Sequence, residues 1–117
     1  MATINVDNLR ARTILGLNEE ERINKQDIVI NYAMDVDISK VAETDDVQYT
    51  VDYKTVNKRI LAYVEDSSFL LVETLVTELL KMLLEDERVQ NAWVRVDKPA
   101  ALRFADSVSV EDTMTRS

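Results

Sequence analysis

The sequence contains no histidine and no cysteine. These two residues supply most zinc ligands, the usual acid–base group near neutral pH, and every thiol nucleophile or disulfide. Their absence excludes the common zinc sites and all cysteine chemistry. Any catalysis has to use carboxylate, lysine, tyrosine or hydroxyl side chains.

Glycine and proline occur only once each. Gly16 ends an apolar segment, where we expect the backbone to bend or to adopt a positive φ. Pro99 fixes its own φ and removes one backbone donor directly after Lys98. Lys98 lies at the end of one predicted strand and shortly before the next. Because the turn after it is restricted by Pro99, the Lys98 side chain can be held in a defined direction.

Positive charge is scarce, with 22 acidic residues against 14 basic ones and a formal net charge of −8. Such a surface repels a phosphate backbone, so we expect no nucleic-acid partner. The chain has no long apolar run, and its first residues carry no basic segment, which argues against a membrane span or a signal peptide. We expect a single domain over residues 1–117, located in the cytoplasm.

Alternation of apolar and polar residues predicts four strands. They are predicted over residues 4–16, 26–37, 92–97 and 105 to about 114. The connection at residues 17–25 is too charged for a core, so we expect a loop there. In the second strand every other residue is apolar, which is typical of a half-buried antiparallel strand.

Helical spacing of apolar residues predicts two helices between the strand pairs. Asp52 is expected to cap the first helix, which ends near Asp66. Ser67 or Ser68 is expected to cap the second helix, which continues to about Leu84. The order β-β-α-α-β-β predicts an α+β fold with two helices on one face of an antiparallel sheet.

A small sheet of long strands has two exposed edges, which natural proteins cover or pair. We therefore expect this chain to form oligomers through strand pairing.

Four polar residues lie at predicted element boundaries, namely Glu21, Tyr53, Glu73 and Lys98. Each also has an ordinary structural explanation. Glu21 belongs to an acidic run that is typical of a solvated loop, and Tyr53 opens a helix, where aromatic residues usually pack. Glu73 can be a solvent-facing helical carboxylate and Lys98 a surface lysine, so spacing alone does not decide between structure and function.

Several segments, in order along nearly the whole chain, carry a family resemblance. They are residues 8–21 (NLRARTILGLNEEE), 26–31 (QDIVIN), 45–47 (DDV), 51–53 (VDY), 69–73 (FLLVE), 97–98 (DK) and 101–109 (ALRFADSVS). Together they resemble the family of dihydroneopterin aldolases and dihydroneopterin triphosphate epimerases. The segments around Lys98 are the most specific.

The resemblance implies the tunnelling fold, in which β-β-α-α-β-β subunits join their sheets into a barrel ring. Two tetrameric rings would stack into a homo-octamer with active sites between subunits. The zinc-dependent and thiol-dependent enzymes of this fold need histidine or cysteine. The chain therefore fits the branch that uses no metal and no cofactor.

The resemblance also implies roles for the boundary residues. Glu73 would accept the N–H donors of a pterin's 2-amino-4-oxo edge, and backbone groups near Val72 and the neighbouring subunit's Val51 would complete the slot. Lys98 would be the base for retro-aldol cleavage, with Glu21 orienting it. Tyr53 from the neighbouring subunit would pack by the pterin ring and handle protons.

The activity implied is epimerisation at C2′ of 7,8-dihydroneopterin triphosphate to 7,8-dihydromonapterin triphosphate. One alternative is dihydroneopterin aldolase, which gives 6-hydroxymethyl-7,8-dihydropterin and glycolaldehyde. Lys98-Pro99 resembles the aldolases, but Glu20 and Ala100 stand where aldolases usually carry an aromatic residue and a glycine. A second alternative is a non-catalytic pterin-binding ring protein, which would need the pterin anchor but not the catalytic residues together.

A triphosphate bound to an acidic protein requires a local basic cluster. Arg10 and Arg12, on alternate positions of the first strand, and Arg103, beyond the Lys98 turn, are candidate triphosphate contacts. The alternative is that they are ordinary surface arginines.

Overall fold

In the computed structural model, which describes residues 1–99 and 101–117, four strands form one sheet in the order of the sequence. The strands are β1 (Ala2–Thr13), β2 (Gln26–Val36), β3 (Val89–Pro99) and β4 (Ser107–Thr115). All three neighbouring pairs are antiparallel. The four predicted strands are confirmed, but β1 ends at Thr13 rather than at Gly16. β3 extends further than predicted and includes Lys98, which pairs with Val108. Ala100 lies outside the described residues.

Two long helices cover one face of the sheet, and two short helices lie in the connections. The short helices are α1 (Glu19–Ile23) and α2 (Ser39–Thr44), the long ones are α3 (Tyr53–Asp66) and α4 (Val72–Leu83), and a 3₁₀ turn lies at Val47–Tyr49. The α+β order β-β-α-α-β-β is confirmed by the four strands and the two long helices. None of the helices in the described ranges is long and apolar enough to span a membrane.

The predicted cap of α3 is confirmed. The Asp52 carboxylate accepts from the backbone N–H groups of Lys54 and Thr55, at 3.1 and 3.2 Å. The helix ends at Asp66, as expected from the sequence.

Two local predictions were wrong. The charged connection contains the short helix α1, because Asn18 and Glu21 form a reciprocal capping box and acidic residues fill its first turn. Neither Ser67 nor Ser68 caps the second long helix, which begins only at Val72. Ser67 instead ends α3, where its hydroxyl donates to the Val64 carbonyl at 2.7 Å.

One hydrophobic core lies between the sheet and the two long helices. Its fully buried members come from β2, β3, α3, α4 and the loop after β1, which contributes Leu15, and Tyr32 is the largest. The Tyr32 hydroxyl donates to the Asn57 side chain at 2.8 Å, and burial raises the pKa of Tyr32 to about 12. This contact ties the centre of β2 to α3.

The candidate residues lie at two ends of the molecule, which we name the Lys98 end and the Tyr53 end. The Lys98 end contains the end of β1, the start of β2, the end of β3 and the connection between α3 and α4. The Tyr53 end contains the start of α3 and the end of α4. Because fourteen residues of α3 span about 20 Å, the two ends are well separated.

Candidate functional site

Lys98 is the central residue of the Lys98 end. It alternates with Val94 and Val96 on the helix-facing side of β3, so its side chain enters the apolar face of the sheet. The residue is only 7% exposed. A lysine at a core position needs a polar partner, because burying an isolated charge is costly.

Glu21 is that partner. The Lys98 Nζ lies 2.7 Å from Glu21 Oε2, across a separation of 77 residues in the sequence. The hydrogen bond from Lys98 lowers the pKa of Glu21 and outweighs the opposing effect of desolvation. The backbone N–H of Asn18 also donates to the carboxylate, at 3.4 Å. Glu21 is therefore a carboxylate held in one orientation beside Lys98.

Gln26 is a neighbour of this pair that the sequence analysis did not identify. Its side-chain amide lies 3.4 Å from the same Glu21 oxygen and also donates to the Leu15 carbonyl. Gln26 has the same phase in β2 as the buried Ile28 and Ile30. A polar residue in an apolar phase was the signal that could have revealed it.

Gly16 makes room for the carboxylate. Its φ is 134°, which confirms the expected positive φ, and a Cβ at this position would overlap the Glu21 carboxyl group. The Gly16 N–H donates to the Phe69 carbonyl at 3.2 Å. This bond joins the loop before α1 to the connection that leads into α4.

Glu73 and Val72 open α4 at the same end of the molecule. Glu73 is exposed and lies in the first turn of the helix, while Val72 packs partly against the core. Within the described residues, no side-chain or backbone N–H donates to the Glu73 carboxylate. Its oxygens are thus available to donors on a ligand.

Tyr53 and Val51 lie at the Tyr53 end. Tyr53 is half exposed at the start of α3, and Val51 is buried just before it. The length of α3 prevents Tyr53 from reaching Lys98 within one chain. A site that contains both residues therefore has to include two chains.

The three candidate phosphate contacts are divided between two surfaces. Arg10 and Arg12 alternate with the helix-facing Leu9 and Ala11, so they lie on the opposite face of the sheet from Lys98. Arg12 is paired with Asp27 at 3.3 Å. Arg103 lies in the exposed connection after β3, with its guanidinium 5.2 Å from the centre of the Phe104 ring. Arg12 is thus at the Lys98 end but on the opposite face of the sheet, and of the three candidates only Arg103 lies in the connection between β3 and β4.

A metal site is not formed by these groups. Across residues 1–99 and 101–117, no three acidic side chains lie together in a way that could hold an ion. What the Lys98 end offers is a buried amine, a carboxylate bound to it, and a second carboxylate open to solvent. Such a set can exchange a proton with a ligand whose N–H donors are bound by Glu73.

The chain shows clear similarity to known proteins. Residues 4–113 match the family model described as dihydroneopterin aldolase. The chain is 43% identical over 110 residues to the dihydroneopterin triphosphate 2′-epimerase of Pseudomonas aeruginosa, covering 94% of this chain and 89% of that one. It is 42% identical over 109 residues to the enzyme of the same name from Escherichia coli K12, covering 93% and 91%.

A solved structure has the same fold. The Escherichia coli dihydroneopterin aldolase, determined in complex with neopterin, matches with a TM-score of 0.91 and 26% identity, covering 97% of this chain and 99% of that one. The tunnelling fold of the subunit, expected from the sequence, is confirmed by this match.

Proposed function

Because this chain belongs to the dihydroneopterin aldolase family, we propose that it is a dihydroneopterin triphosphate 2′-epimerase. It inverts C2′ of 7,8-dihydroneopterin triphosphate and gives 7,8-dihydromonapterin triphosphate. The buried contact of 2.7 Å between Lys98 and Glu21 is the observation that carries the retro-aldol chemistry. The identity of 42–43% to proteins named 2′-epimerase favours inversion over cleavage.

Binding of the pterin depends on Glu73. A 2-amino-4-oxo pyrimidine edge presents adjacent N–H donors, and an exposed carboxylate can accept two of them at once. Backbone groups near Val72, and near Val51 of a neighbouring subunit, complete the slot. Glu73 thereby fixes the ring while the side chain of the pterin extends toward Lys98.

Lys98 acts as the base after its ammonium has released a proton to solvent, and the neutral amine then takes the proton from the C2′ hydroxyl. The C2′ oxygen forms a carbonyl, the C1′–C2′ bond breaks, and its electron pair forms C1′=C6 while the C6=N5 pair moves to N5, which gains a proton. Since the dihydropterin imine accepts the electrons, Lys98 forms no Schiff base and no metal is required. Glu21 holds the ammonium formed on Lys98.

Inversion follows from the same intermediate. The aldehyde turns its other face to the enol and adds again: the C1′=C6 pair forms the C1′–C2′ bond, N5 gives up its proton as C6=N5 re-forms, and Lys98 returns its proton to the C2′ oxygen. Tyr53 from the neighbouring subunit packs against the pterin ring and transfers protons at the enol intermediate. The site therefore needs two subunits, and we propose a homo-octamer of two tetrameric rings.

Aldolase activity is the second candidate. If the aldehyde leaves and the enol is protonated at C1′, the products are 6-hydroxymethyl-7,8-dihydropterin and glycolaldehyde. The close structural match to a solved aldolase favours it, as does the Lys98-Pro99 sequence. The same residues serve both outcomes, so product analysis has to distinguish them.

The first prediction is the product pattern of the wild-type protein. With 7,8-dihydroneopterin triphosphate we expect mainly the C2′ epimer, measured by chromatographic separation of the dephosphorylated, oxidised pterins. Hydroxymethyldihydropterin as the main product would favour the aldolase. No turnover of either substrate, combined with binding of neopterin, would favour the non-catalytic binder.

The second prediction is that Lys98→Ala lowers turnover of both reactions by at least about a hundredfold, the lower range for a positioned acid–base group. Lys58→Ala, at an exposed position of α3, is the matched control and should keep wild-type turnover. Circular dichroism melting would verify that both variants are folded. A folded Lys98→Ala protein with unchanged turnover would disprove the assignment of the base.

The third prediction concerns the phosphate groups. Because Arg103 is the candidate in the connection that follows Lys98, Arg103→Ala should raise KM for the triphosphate severalfold and leave KM for unphosphorylated dihydroneopterin unchanged. Added salt should reduce the difference, since exposed charges are screened. Arg12→Ala is the comparison. If it alone weakened triphosphate binding, the phosphate subsite would lie on the opposite face of the sheet.

A further inference from the structure

The short helix α1 carries Glu21 but is not held by the core. It has five residues, and none of them is buried. A helix of this length is unstable without tertiary contacts. Something other than apolar packing must therefore keep the Glu21 carboxylate beside Lys98.

Arg22, the next residue, makes the required contacts. Its guanidinium donates to three backbone carbonyls: Gly16 at 3.0 Å, Phe69 at 3.1 Å and Ser68 at 2.7 Å. Gly16 belongs to the loop before α1, whereas Ser68 and Phe69 belong to the connection between α3 and α4. A single planar group with several fixed donors thus joins two segments that are distant in the sequence.

These two segments carry the two halves of the proposed site. Glu21 is bonded in sequence to Arg22, and Glu73 follows Phe69 by four residues at the start of α4. No carboxylate of the described residues forms an ion pair with Arg22, so its donors are directed to the carbonyls alone. A displacement of this junction would move Glu21 relative to Lys98, which lies on β3, and relative to the pterin anchor.

We propose that Arg22 is a positioning residue that holds the Glu21 carboxylate beside Lys98 and at a fixed distance from Glu73. This inference rests on the proposed function for its effect on turnover. Arg22 does not touch the reacting atoms and acts through the carboxylate beside it and the helix start across the junction. Misplacement of a catalytic group by about 1 Å costs on the order of a hundredfold in rate.

Arg116 provides a matched control. Its guanidinium also donates to three backbone carbonyls, those of Val89 at 3.0 Å, Asp86 at 2.9 Å and Leu84. These contacts lie at the other end of α4. Arg116→Ala therefore removes the same kind of interaction without affecting the junction between Glu21 and Glu73.

The test compares Arg22→Ala, Arg22→Lys and Arg116→Ala at a temperature where all are folded. We expect kcat of Arg22→Ala to fall by about tenfold to a hundredfold, with partial recovery in Arg22→Lys and on addition of ethylguanidinium, but not of ethylammonium. Arg116→Ala should lower the melting temperature and keep wild-type kcat. Wild-type kcat in folded Arg22→Ala, or an equal loss in Arg116→Ala, would overturn the proposal.

A second measurement does not depend on activity. The Glu21→Gln change should reduce the acid dependence of stability in the wild-type background, but have little effect in the Arg22→Ala background, where the carboxylate no longer meets Lys98. An equal effect in both backgrounds would disprove the positioning role. If Arg22→Ala does not fold, the same cycle with Arg22→Lys should show an intermediate effect. An inactive wild type with an intact stability cycle would reject the proposed function while supporting the role of Arg22.

Discussion

At the scale of single residues, the low exposure of the Lys98–Glu21 ion pair matters for both the proposed chemistry and the stability of the fold. Lys98 is nearly buried, and the Glu21 side chain is 23% exposed. A pair in such a site is less screened than a surface ion pair. Its loss therefore affects the whole domain as well as the proposed reaction.

A fourth prediction follows from the lowered pKa of Glu21. Its ordinary value is 4.5, and the hydrogen bond from Lys98 lowers it in the folded protein. A group with a lowered pKa stabilises the fold above its unfolded value, and this contribution is lost as the pH falls below 4.5 through the folded pKa. Glu21→Gln should therefore cost about 1 to 3 kcal/mol near neutral pH and much less in acid.

Urea unfolding at several pH values measures this difference. Glu19→Gln, at an exposed position of the same short helix, is the control and should follow the wild-type curve. A constant gap between wild type and Glu21→Gln at all pH values would contradict the prediction, because the lost contribution would then not depend on titration of this carboxylate.

At the scale of elements, the loop between β1 and α1 depends on Gly16. Its positive φ disfavours any other residue, and a Cβ would collide with the movable end of the Glu21 side chain. Gly16→Ala should therefore push the carboxylate away from Lys98. It should also destabilise the fold by about 1 to 3 kcal/mol through backbone strain.

Asn8→Ala separates these two effects. Asn8 also has a positive φ, 57°, but it lies at the bulge of β1, away from Lys98. Both variants should lose stability in urea unfolding, while only Gly16→Ala should lose turnover of the folded protein. Equal turnover in the two variants would show that the carboxylate retains its place despite the added Cβ.

At the scale of the whole molecule, Lys98 and Tyr53 lie at opposite ends of one folded subunit. We therefore predict that inactive Tyr53→Ala and Lys98→Ala proteins restore activity when they are refolded together. With random mixing in a closed ring, about a quarter of the sites would combine an intact Tyr53 with an intact Lys98. Turnover of the mixture, together with light scattering, measures the outcome.

The control is a protein that carries both changes. When this double variant is refolded with wild type, the mixture should show no more activity than the same amount of wild-type protein alone. If the mixture of the single variants stays inactive although light scattering finds mixed oligomers, Tyr53 and Lys98 do not share a site. An active monomer would reject the two-chain site altogether.

The sequence by itself determined the order of the large elements. Alternation in β2 and the helical spacing of α3 and α4 are local patterns that reflect which face meets the core. The helix cap at Asp52 and the positive φ of Gly16 could also be predicted, because each depends on only a few neighbouring residues. Glu21, Glu73 and Lys98 stood out at element boundaries and by resemblance to a family.

Only the tertiary structure decided how these residues meet. Lys98 and Glu21 are 77 positions apart, so no local rule could show that they touch. The start of α4 was misplaced for the same reason: residues before it bond to Gly16 and Arg22 across the molecule instead of capping the helix. Long-range hydrogen bonds compete with local preferences, and their geometry exists only when both segments are folded.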